Sequence, residues 1–347
     1  MSRSVQQITH SHNASSTLAS GPSTDGAVPT RTGSVRARTA VLLHQYGMVA
    51  LLAILVVAAQ ALYPGFLTGE TASNILSQAA PIGIIAVGMT LVMITGGFDL
   101  SVGAVYAAGA TFYASFASQG VPLPYAAAAT VVLGLACGAL NGLIVARLKV
   151  NSFVATLGTA SIIGGAAYIY SNSRSYVVSD PVFGELGNGT LLGMPISIWM
   201  LLVAFAGAQF VLSKTIYGRS IFAIGGNNEA ARLAGLRVDV LRASTYVILG
   251  GCAAVAGMLM SSRLGVGQAD IGATVALDAI AVVVIGGTSL LGGEGAIWRT
   301  MIGLLIVGVL GNLLDSLAVD PNGQMLIKGV IVIAAVALDT LAKRKRG

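Results

Sequence analysis

Charged residues divide the chain into long uncharged stretches. Five of these stretches have about the length that crosses a lipid bilayer once as a helix, roughly 20 residues. They lie between Arg38 and Glu70, Glu70 and Asp99, Lys149 and Arg174, Glu185 and Lys214, and Arg242 and Arg263. The longer stretch from Asp99 to Arg147 contains Pro122 and Pro124, so it predicts two helices. Residues 273–342 are apolar with a few charged interruptions and predict three more, which makes ten.

The positions of the basic residues give an orientation to these ten helices, which are centred near residues 52, 85, 111, 134, 162, 204, 252, 282, 307 and 333. If successive connections alternate between two sides, one side collects all but three of the 19 basic residues. The exceptions are Arg174 and Arg263, on the other side, and Lys328, within a span. Cytoplasmic connections of membrane proteins carry the excess of Lys and Arg. The pattern therefore predicts that both termini are cytoplasmic.

The composition agrees with a membrane protein. Charged residues make up 9% of the 347 residues, apolar residues 55%, and the mean hydropathy is +0.83. A soluble protein carries roughly 25% charged residues, so a cytosolic enzyme is excluded. The 45 glycines fit closely packed membrane helices, which approach one another through small residues. We expect an all-α, polytopic transmembrane helical bundle of about ten spans.

The two ends of the chain differ from this pattern. Residues 1–38 are rich in Ser, Thr, Gly and Arg and contain no sustained apolar run, which predicts a disordered cytoplasmic tail. A cleaved signal peptide is not expected, because the first apolar stretch is about 22 residues long and lacks a cleavage site. The transmembrane domain is expected over residues 39–342, followed by a basic cytoplasmic tail at 343–347.

The residues that usually carry chemistry are scarce. Cys137 and Cys252 lie inside apolar runs, and the histidines are His10, His12 and His44, too few for a metal cluster. No combination of nucleophile, histidine and acid predicts a catalytic site. The phosphate-binding pattern GxxxxGKS/T is absent. We therefore expect no catalytic residue, no metal site and no cofactor site, and any ATP to be bound by a partner.

The most informative segment is the long predicted cytoplasmic loop 214–242. Asn227 or Asn228 can cap a short helix there, Glu229 suits its first turn, and Gly235 suits a left-handed end. The intervening helix has fewer than three turns and needs a partner surface.

One side of this helix is small and apolar, since Ala230, Leu233 and Ala234 are spaced i, i+3, i+4. A partner protein can approach such a face closely. The alternative is a loop that lies on the chain's own surface.

This segment, GRSIFAIGGNNEAARLAGL at residues 218–236, resembles the cytoplasmic loop of bacterial ABC-importer permeases of the ribose/xylose/arabinose type. Other blocks resemble the same family in order, over about residues 41–342. They are NIL at 74–76, GMTLVMITGGFDLSVG at 88–103, NGLI at 141–144, FVATLGT at 153–159, LDAIA at 277–281 and GGTSLLGG at 286–293.

The resemblance implies the inner-membrane component of a binding-protein-dependent sugar importer that works by alternating access. Its partners would be ABC ATPase subunits, a periplasmic sugar-binding protein and a second permease chain, with no nucleic acid. The loop would carry the helix that couples to the ATPase. By resemblance, the coupling residues are Asn228, Glu229, Ala230, Ala231, Arg232 and Gly235. Val275-Ala276 replaces an aromatic-Glu pair common in the family, so no particular sugar is assigned.

Polar residues within the apolar spans are candidates for the translocation path. An ionised carboxylate at the centre of a span costs roughly 2.5–3.5 kcal/mol, so Asp99 and Asp278 should face a cavity or a partner. Asp99 either caps a break between two helices or lines the path, and Lys328 can pair with Asp278 or Asp315. The uncharged candidates are Asn74, Asn141 and Thr156, together with Gln78 and Asn312. Their alternative role is hydrogen bonding between helices.

Two glycine-rich junctions can act as hinges. Residues 96–103 and 286–293 share the pattern GGxxLxxG at an offset of 190 residues, which reflects either an internal repeat or chance. The candidate hinge residues are Gly96, Gly97, Gly103, Gly286, Gly287 and Gly292.

Other functions remain open from the sequence alone. An ion-coupled secondary transporter would use Asp99, Asp278, Asp315 and Lys328 as its relay. A scaffold or receptor would move no solute. Among ABC permeases, branched-chain amino acids or a furanosyl signal are alternative solutes.

Overall fold

The computed structural model describes the backbone of residues 32–344 and the side chains of residues 47–331, 333 and 337. The chain divides into two units, Met1–His44 and Gln45–Gly347. Most of the predicted N-terminal tail, and the last three residues, lie outside the described residues. Helical backbone begins at Thr32, whereas the tail was expected to continue to residue 38. Extending an existing helix costs little once its apolar part has formed, which accounts for the earlier start.

The described residues form thirteen α-helices. They are α1 (Thr32–Leu62), α2 (Gly69–Ile94), α3 (Val102–Ser118), α4 (Leu123–Gly142), α5 (Ser152–Ser171), α6 (Glu185–Asn188), α7 (Ile196–Lys214), α8 (Ile216–Gly226), α9 (Asn228–Leu233), α10 (Val238–Leu264), α11 (Val275–Ile285), α12 (Ile297–Ser316) and α13 (Pro321–Arg344). A π-helical turn, Leu143–Arg147, continues α4, and a 3₁₀ turn covers Pro181–Gly184. Each of the ten predicted helix centres falls in a separate helix, so the all-α prediction is confirmed.

Six helices of the described chain are long and apolar enough to cross a membrane: α2, α4 with its π-helical end, α5, α7, α10 and α12. Two apolar helices are shorter, Gly47–Leu62 within α1 and the 11-residue α11. At 1.5 Å per residue, α11 is only about half as long as the hydrocarbon core of a bilayer is thick. The segment before it, residues 265–274, consists mainly of turns and runs along α3, where Gly267 lies against Ala110 and Gly272 against Gly103.

Helix α10 lies at the centre of the bundle and packs against α2, α3 and α4. Close packing there depends on glycine. A Cβ at Gly138 of α4 would overlap the carbonyl oxygen of Tyr246 on α10, and a Cβ at Gly257 of α10 would overlap that of Tyr106 on α3. Small residues at these crossings allow backbone contact where the hydrophobic effect does not favour association between helices.

The described part of the chain also contains four two-residue strands, which lie between helices. The strands β1 (Tyr176–Val177) and β4 (Val266–Gly267) pair antiparallel, with Tyr176 opposite Gly267. The strands β2 (Thr190–Leu191) and β3 (Met194–Pro195) form a hairpin before α7. Both strand pairs lie at the end of the bundle opposite to α9. The strand β4 is separated from α9 by the length of α10, and β3 is separated from it by the length of α7.

Candidate functional site

The predicted loop 214–242 is largely helical. Helix α8 begins after Thr215, whose Oγ1 accepts a hydrogen bond from the Gly218 N–H at 3.2 Å. Helix α9 begins after Asn227, whose Oδ1 accepts from the Ala230 N–H at 3.0 Å. Of the two possible caps, Asn227 is therefore the one that acts, and Asn228 is the first residue of α9. The short helix expected within the loop is present as α9, and the Thr215 cap stabilises a second helix, α8, that the sequence did not predict.

The face predicted on α9 is exposed. Leu233 is 90% accessible, and Ala230 and Ala234 are also exposed. Ala231, which the resemblance assigned to coupling, is buried and packs with Ile224 in a small core. Ala231 therefore packs α9 against the rest of the protein. The accessible apolar surface consists of Ala230, Leu233 and Ala234.

The end of α9 is fixed as expected. Gly235 has φ of +83°, the left-handed conformation that glycine adopts most readily, and its N–H donates to the Arg232 carbonyl at 3.0 Å. Arg232 also forms an ion pair with Asp239 of α10 at 2.8 Å. Glu229 lies exposed in the first turn. Helix α9 is thus anchored at both ends.

The C-terminal end of α8 touches the end of α2 and the second glycine-rich junction. A Cβ at Gly225 would overlap the Ile94 carbonyl oxygen at the end of α2. The same carbonyl accepts a hydrogen bond from the Gly293 N–H at 2.9 Å. A Cβ at Gly292 would lie 2.8 Å from the Gly96 nitrogen. The segment before α9, the end of α2 and the loop between α11 and α12 therefore meet by backbone contact.

The candidate hinges divide between this junction and other contacts. Gly96 and Gly292 meet each other, and Gly97 lies close to the Tyr246 hydroxyl. Gly103 packs on Gly272, and Gly286 packs on the backbone of α12. Whether any of the six acts as a hinge stays a prediction.

The two copies of the GGxxLxxG pattern do not have the same local conformation. Gly96 has φ of +77°, whereas the matching Gly286 is right-handed and the left-handed residue is Gly287, with φ of +74°. Both helices, α2 and α11, nevertheless end two residues before a left-handed glycine. The internal repeat stays a hypothesis.

Three of the candidate path residues meet at the break between α2 and α3. Asp99 is buried, and its Oδ1 accepts hydrogen bonds from the Ser101 backbone N–H at 2.8 Å and the Ser101 hydroxyl at 2.6 Å. Asn141 of α4 donates from Nδ2 to Asp99 Oδ2 at 3.1 Å and accepts at Oδ1 from the Thr159 hydroxyl at 2.6 Å. Asp99 thus bonds a backbone donor at the break, as a cap would, and its role as cap or path residue stays a prediction.

Helix α5 completes this buried polar cluster. Thr156 Oγ1 accepts a hydrogen bond from the Leu100 N–H at 3.0 Å, and Ser152 Oγ accepts from the Phe98 N–H at 3.3 Å. The Tyr246 hydroxyl donates to the Phe98 carbonyl at 3.2 Å. The backbone between α2 and α3 is therefore bonded on several sides, and Asn141 and Thr156 join helices in this conformation.

The other two candidate path residues lie elsewhere. Asn74 is exposed near the start of α2, and the 20 residues to Ile94 correspond to about 30 Å of helix. Asp278 in the first turn of α11 forms an ion pair with Lys328 of α13 at 3.6 Å. The Asp315 carboxylate instead accepts a hydrogen bond from Gln324 at 2.8 Å. Of the four groups of an ion relay, Asp278 and Lys328 are therefore paired with each other, whereas Asp99 and Asp315 bond to uncharged residues.

A polar cavity of about 640 Å³ lies beside α9. Its walls come from Gly96 and Gly97, the turn between α4 and α5, the start of α9 and the start of α10. Lys149, Glu229, Arg232, Asp239 and Arg242 supply its charges. Among the described residues, no group of three or more His, Cys, Asp or Glu has the arrangement of a metal site.

Sequence reasoning missed several residues of these sites. Ser101, Thr159, Ser152 and Tyr246 belong to the Asp99 cluster, and Arg242 to the cavity. Ser101 and Thr159 lie inside the blocks that resemble the permease family. Arg242 was read only as one of many cytoplasmic basic residues, and its contact with the end of α2 has no local signal.

Comparison with known proteins identifies relatives over nearly the whole chain. The ribose import permease protein RbsC of Escherichia coli (strain K12) is 40% identical over 302 residues, 86% of this chain and 94% of that protein. RbsC of Haemophilus influenzae is 37% identical over 309 residues, 88% of this chain and 95% of that protein. The L-arabinose ABC transporter permease protein AraH of Azospirillum brasilense is 33% identical over 327 residues, 94% and 95% of the two chains. No solved structure matches this chain.

Residues 71–336 match the family described as the permease component of the branched-chain amino acid transport system. This match covers all helices from α3 to α12 and nearly all of α2. It confirms the resemblance drawn from the sequence blocks. The chain therefore belongs to this family of transport-system permease components.

Proposed function

We propose that this chain is the transmembrane subunit of an ATP-driven importer for a monosaccharide of the ribose, xylose or arabinose kind. The similarity to ribose and arabinose permeases carries this proposal, because the chain covers 94–95% of each of those three proteins. As a member of the family, it is a multi-pass protein of the bacterial inner membrane.

The proposed topology has ten spans and two cytoplasmic termini. The basic residues support it, since all but three of the 19 lie on one side of that arrangement. In this topology α8 and α9 lie on the cytoplasmic side. The hairpin between β2 and β3 then lies on the periplasmic side, where a sugar-binding protein would deliver the solute.

Coupling to the ATPase is proposed to run through α9. Leu233, Ala230 and Ala234 supply an apolar surface, and the ion pair between Arg232 and Asp239 fixes the helix to α10. Movement of α9 reaches the membrane helices through Gly225, which touches the end of α2 and the loop before α12. Two permease chains that rock about this contact would give alternating access.

The test of this role is binding of the partner ATPase in detergent. Leu233→Glu places a charge on the most exposed apolar residue of α9 and should abolish copurification of the ATPase while membrane insertion stays normal. Leu192→Glu is the matched control, because Leu192 is also highly exposed, at 85%, but lies in the hairpin at the other end of the bundle. Equal copurification with both variants contradicts the coupling role of α9.

The solute is tested by uptake. Cells that express the complete transporter are given labelled ribose, xylose and arabinose, with leucine as the probe for the amino acid alternative and a furanosyl signal as a further one. We expect uptake of at least one pentose and competition only by sugars. Uptake of leucine without uptake of any pentose would contradict the proposed sugar specificity and would favour amino acid transport, the function in the family's description.

A further inference from the structure

The cavity beside α9 is not explained by the exposed apolar face of that helix. It shares Glu229 and Arg232 with α9, but its opposite wall is the turn between α4 and α5. Both of the shared residues are exposed on α9, so the cavity adjoins the exposed surface of that helix. The cavity is therefore continuous with the proposed ATPase contact and differs from it in chemistry.

The charges around the cavity favour an anion. Three basic and two acidic residues line it, and Arg232 is already paired with Asp239 at 2.8 Å. This leaves Lys149 and Arg242 against the single carboxylate of Glu229 in the wall of the cavity. Glu229 is exposed in the first turn of α9, where the helix dipole already stabilises its charge.

Arg242 provides the most specific observation. One of its terminal nitrogens donates to the Thr95 carbonyl at 2.9 Å, which fixes the guanidinium beside the end of α2. Its Nε is buried and has no acceptor among the described residues. Arg242 also lines the cavity, so it holds a fixed positive charge there, and a guanidinium has further N–H donors for an oxygen anion.

The opposite wall is held in an unusual conformation. The π-helical turn Leu143–Arg147 ends α4, and Lys149 follows with φ of +57°, a left-handed conformation that is uncommon for lysine. Asn151 then caps α5 through the Phe153 N–H at 3.0 Å. Such local strain persists where the surroundings hold it in place, and π-helical turns are frequent at functional sites.

We propose that this cavity receives an acidic side chain of the partner ATPase, which binds between Lys149 and Arg242 while α9 makes its apolar contact. The inference rests on the proposed function, since it assumes an ATPase on this face. It predicts a second, electrostatic half of the docking site, supplied by the turn between α4 and α5. A carboxylate suits Arg242 because a guanidinium binds oxygen anions through several N–H donors.

The test compares two charge reversals that lie two residues apart. Lys149→Glu reverses a charge in the cavity wall, whereas Arg147→Glu makes the same change in net charge at an exposed residue outside it. Binding of the purified ATPase that supports uptake with the wild-type permease is measured for both full-length variants. At low salt, Lys149→Glu should raise the dissociation constant of the complex about tenfold, and Arg147→Glu should raise it less than about twofold. The difference should shrink at high salt.

Two further variants guard against misfolding. Lys149→Arg keeps the charge and should bind like the wild type, and Lys149→Gln should show an intermediate loss. If both charge reversals act alike while Leu233→Glu still abolishes binding, the cavity proposal fails and the proposed function stands. If the wild-type permease binds no ATPase at all, the proposed function itself fails.

A free anion is the alternative occupant. Inorganic phosphate, added at constant ionic strength without the ATPase, should leave the thermal stability of the wild type and of Lys149→Glu equally unchanged. Stabilisation of the wild type alone would overturn the proposal, because it would show that the cavity binds a soluble anion in the absence of the partner.

Discussion

At the scale of single residues, Asn141 connects three helices through one side chain. It donates to Asp99 and to the Ser101 hydroxyl at 2.7 Å, and it accepts from Thr159. All four side chains are buried. An isolated hydrogen bond between membrane helices contributes only about 0.6 kcal/mol, but loss of Asn141 also removes partners from a buried carboxylate and two hydroxyls.

Replacement of Asn141 by leucine should therefore lower the free energy of unfolding by about 2–3 kcal/mol. The matched control is Thr130→Val on the same helix, since among the described residues the buried Thr130 hydroxyl bonds to the Ala126 carbonyl alone. That control should cost less than about 1 kcal/mol. Unfolding in mixed detergent micelles measures both. Equal losses would mean that the cluster contributes no more than an ordinary helix hydroxyl.

The ion pair between Asp278 and Lys328 makes a second prediction at this scale. The two charges lie 3.6 Å apart, and their side chains are 18% and 34% exposed. Neutralising either one leaves the other unpaired within an apolar helix, so Asp278→Asn and Lys328→Gln should each reduce sugar uptake. The double variant should recover uptake above either single variant, with a coupling energy of about 1 kcal/mol in stability. If the pair instead carries protons, the double variant will be the least active of the three.

The roles of some of these residues were predictable from neighbouring residues in the sequence. Contacts between residues far apart in the sequence were not predictable. The bond of Asp99 to the Ser101 N–H follows from its position two residues before Ser101, beside a helix start. Its bond to Asn141 spans 42 residues, and no periodicity in the sequence reports which two helices meet there. The same limit applies to Arg242, whose acceptor on Thr95 lies 147 residues away.

At the scale of helices, the contact between α8 and the end of α2 is the point where motion of α9 would enter the bundle. It is a contact of backbone on backbone. The Gly225 position has no room for a Cβ beside the Ile94 carbonyl oxygen, and the Gly293 nitrogen would lie 2.5 Å away. The next residue, Gly226, has nothing within 4 Å of a Cβ.

Gly225→Ala should therefore force α8 away from α2, whereas Gly226→Ala should not. We expect sugar uptake to fall about tenfold in Gly225→Ala, the factor that corresponds to 1.4 kcal/mol of overpacking. The level of inserted protein should be equal for the two variants by immunoblot of the membrane fraction. If Gly226→Ala loses as much uptake as Gly225→Ala, the close contact is not what transmits the motion.

The ends of helices were predictable from the sequence where residues within one or two turns determine them. Asn227 and Gly235 bound α9 because a side-chain cap and a left-handed glycine act within a few residues. Helix α11 was expected to be a full span, but it covers only Val275–Ile285. The residues before it form turns along α3 because glycines such as Gly272 allow backbone contact there, and hydropathy alone does not distinguish that arrangement from a helix.

At the scale of the whole molecule, the proposed topology assigns the two ends of the bundle to different compartments. A single cysteine at Leu192 or Leu233 tests it, since both side chains are more than 80% exposed. In a background where Cys137 and Cys252 are alanine, a membrane-impermeant maleimide should label Leu192→Cys in intact spheroplasts. It should label Leu233→Cys only after permeabilisation. The reverse pattern would invert the proposed orientation.

The central claim is that this chain moves a sugar with energy supplied by a partner ATPase. The most direct measurement is uptake of labelled pentose into proteoliposomes that contain the permease, its ATPase and its binding protein. The account predicts uptake that requires ATP on the side of α9, persists when ion gradients are collapsed, and is lost in Leu233→Glu but not in Leu192→Glu. Uptake that follows a proton or sodium gradient and does not respond to ATP would contradict it.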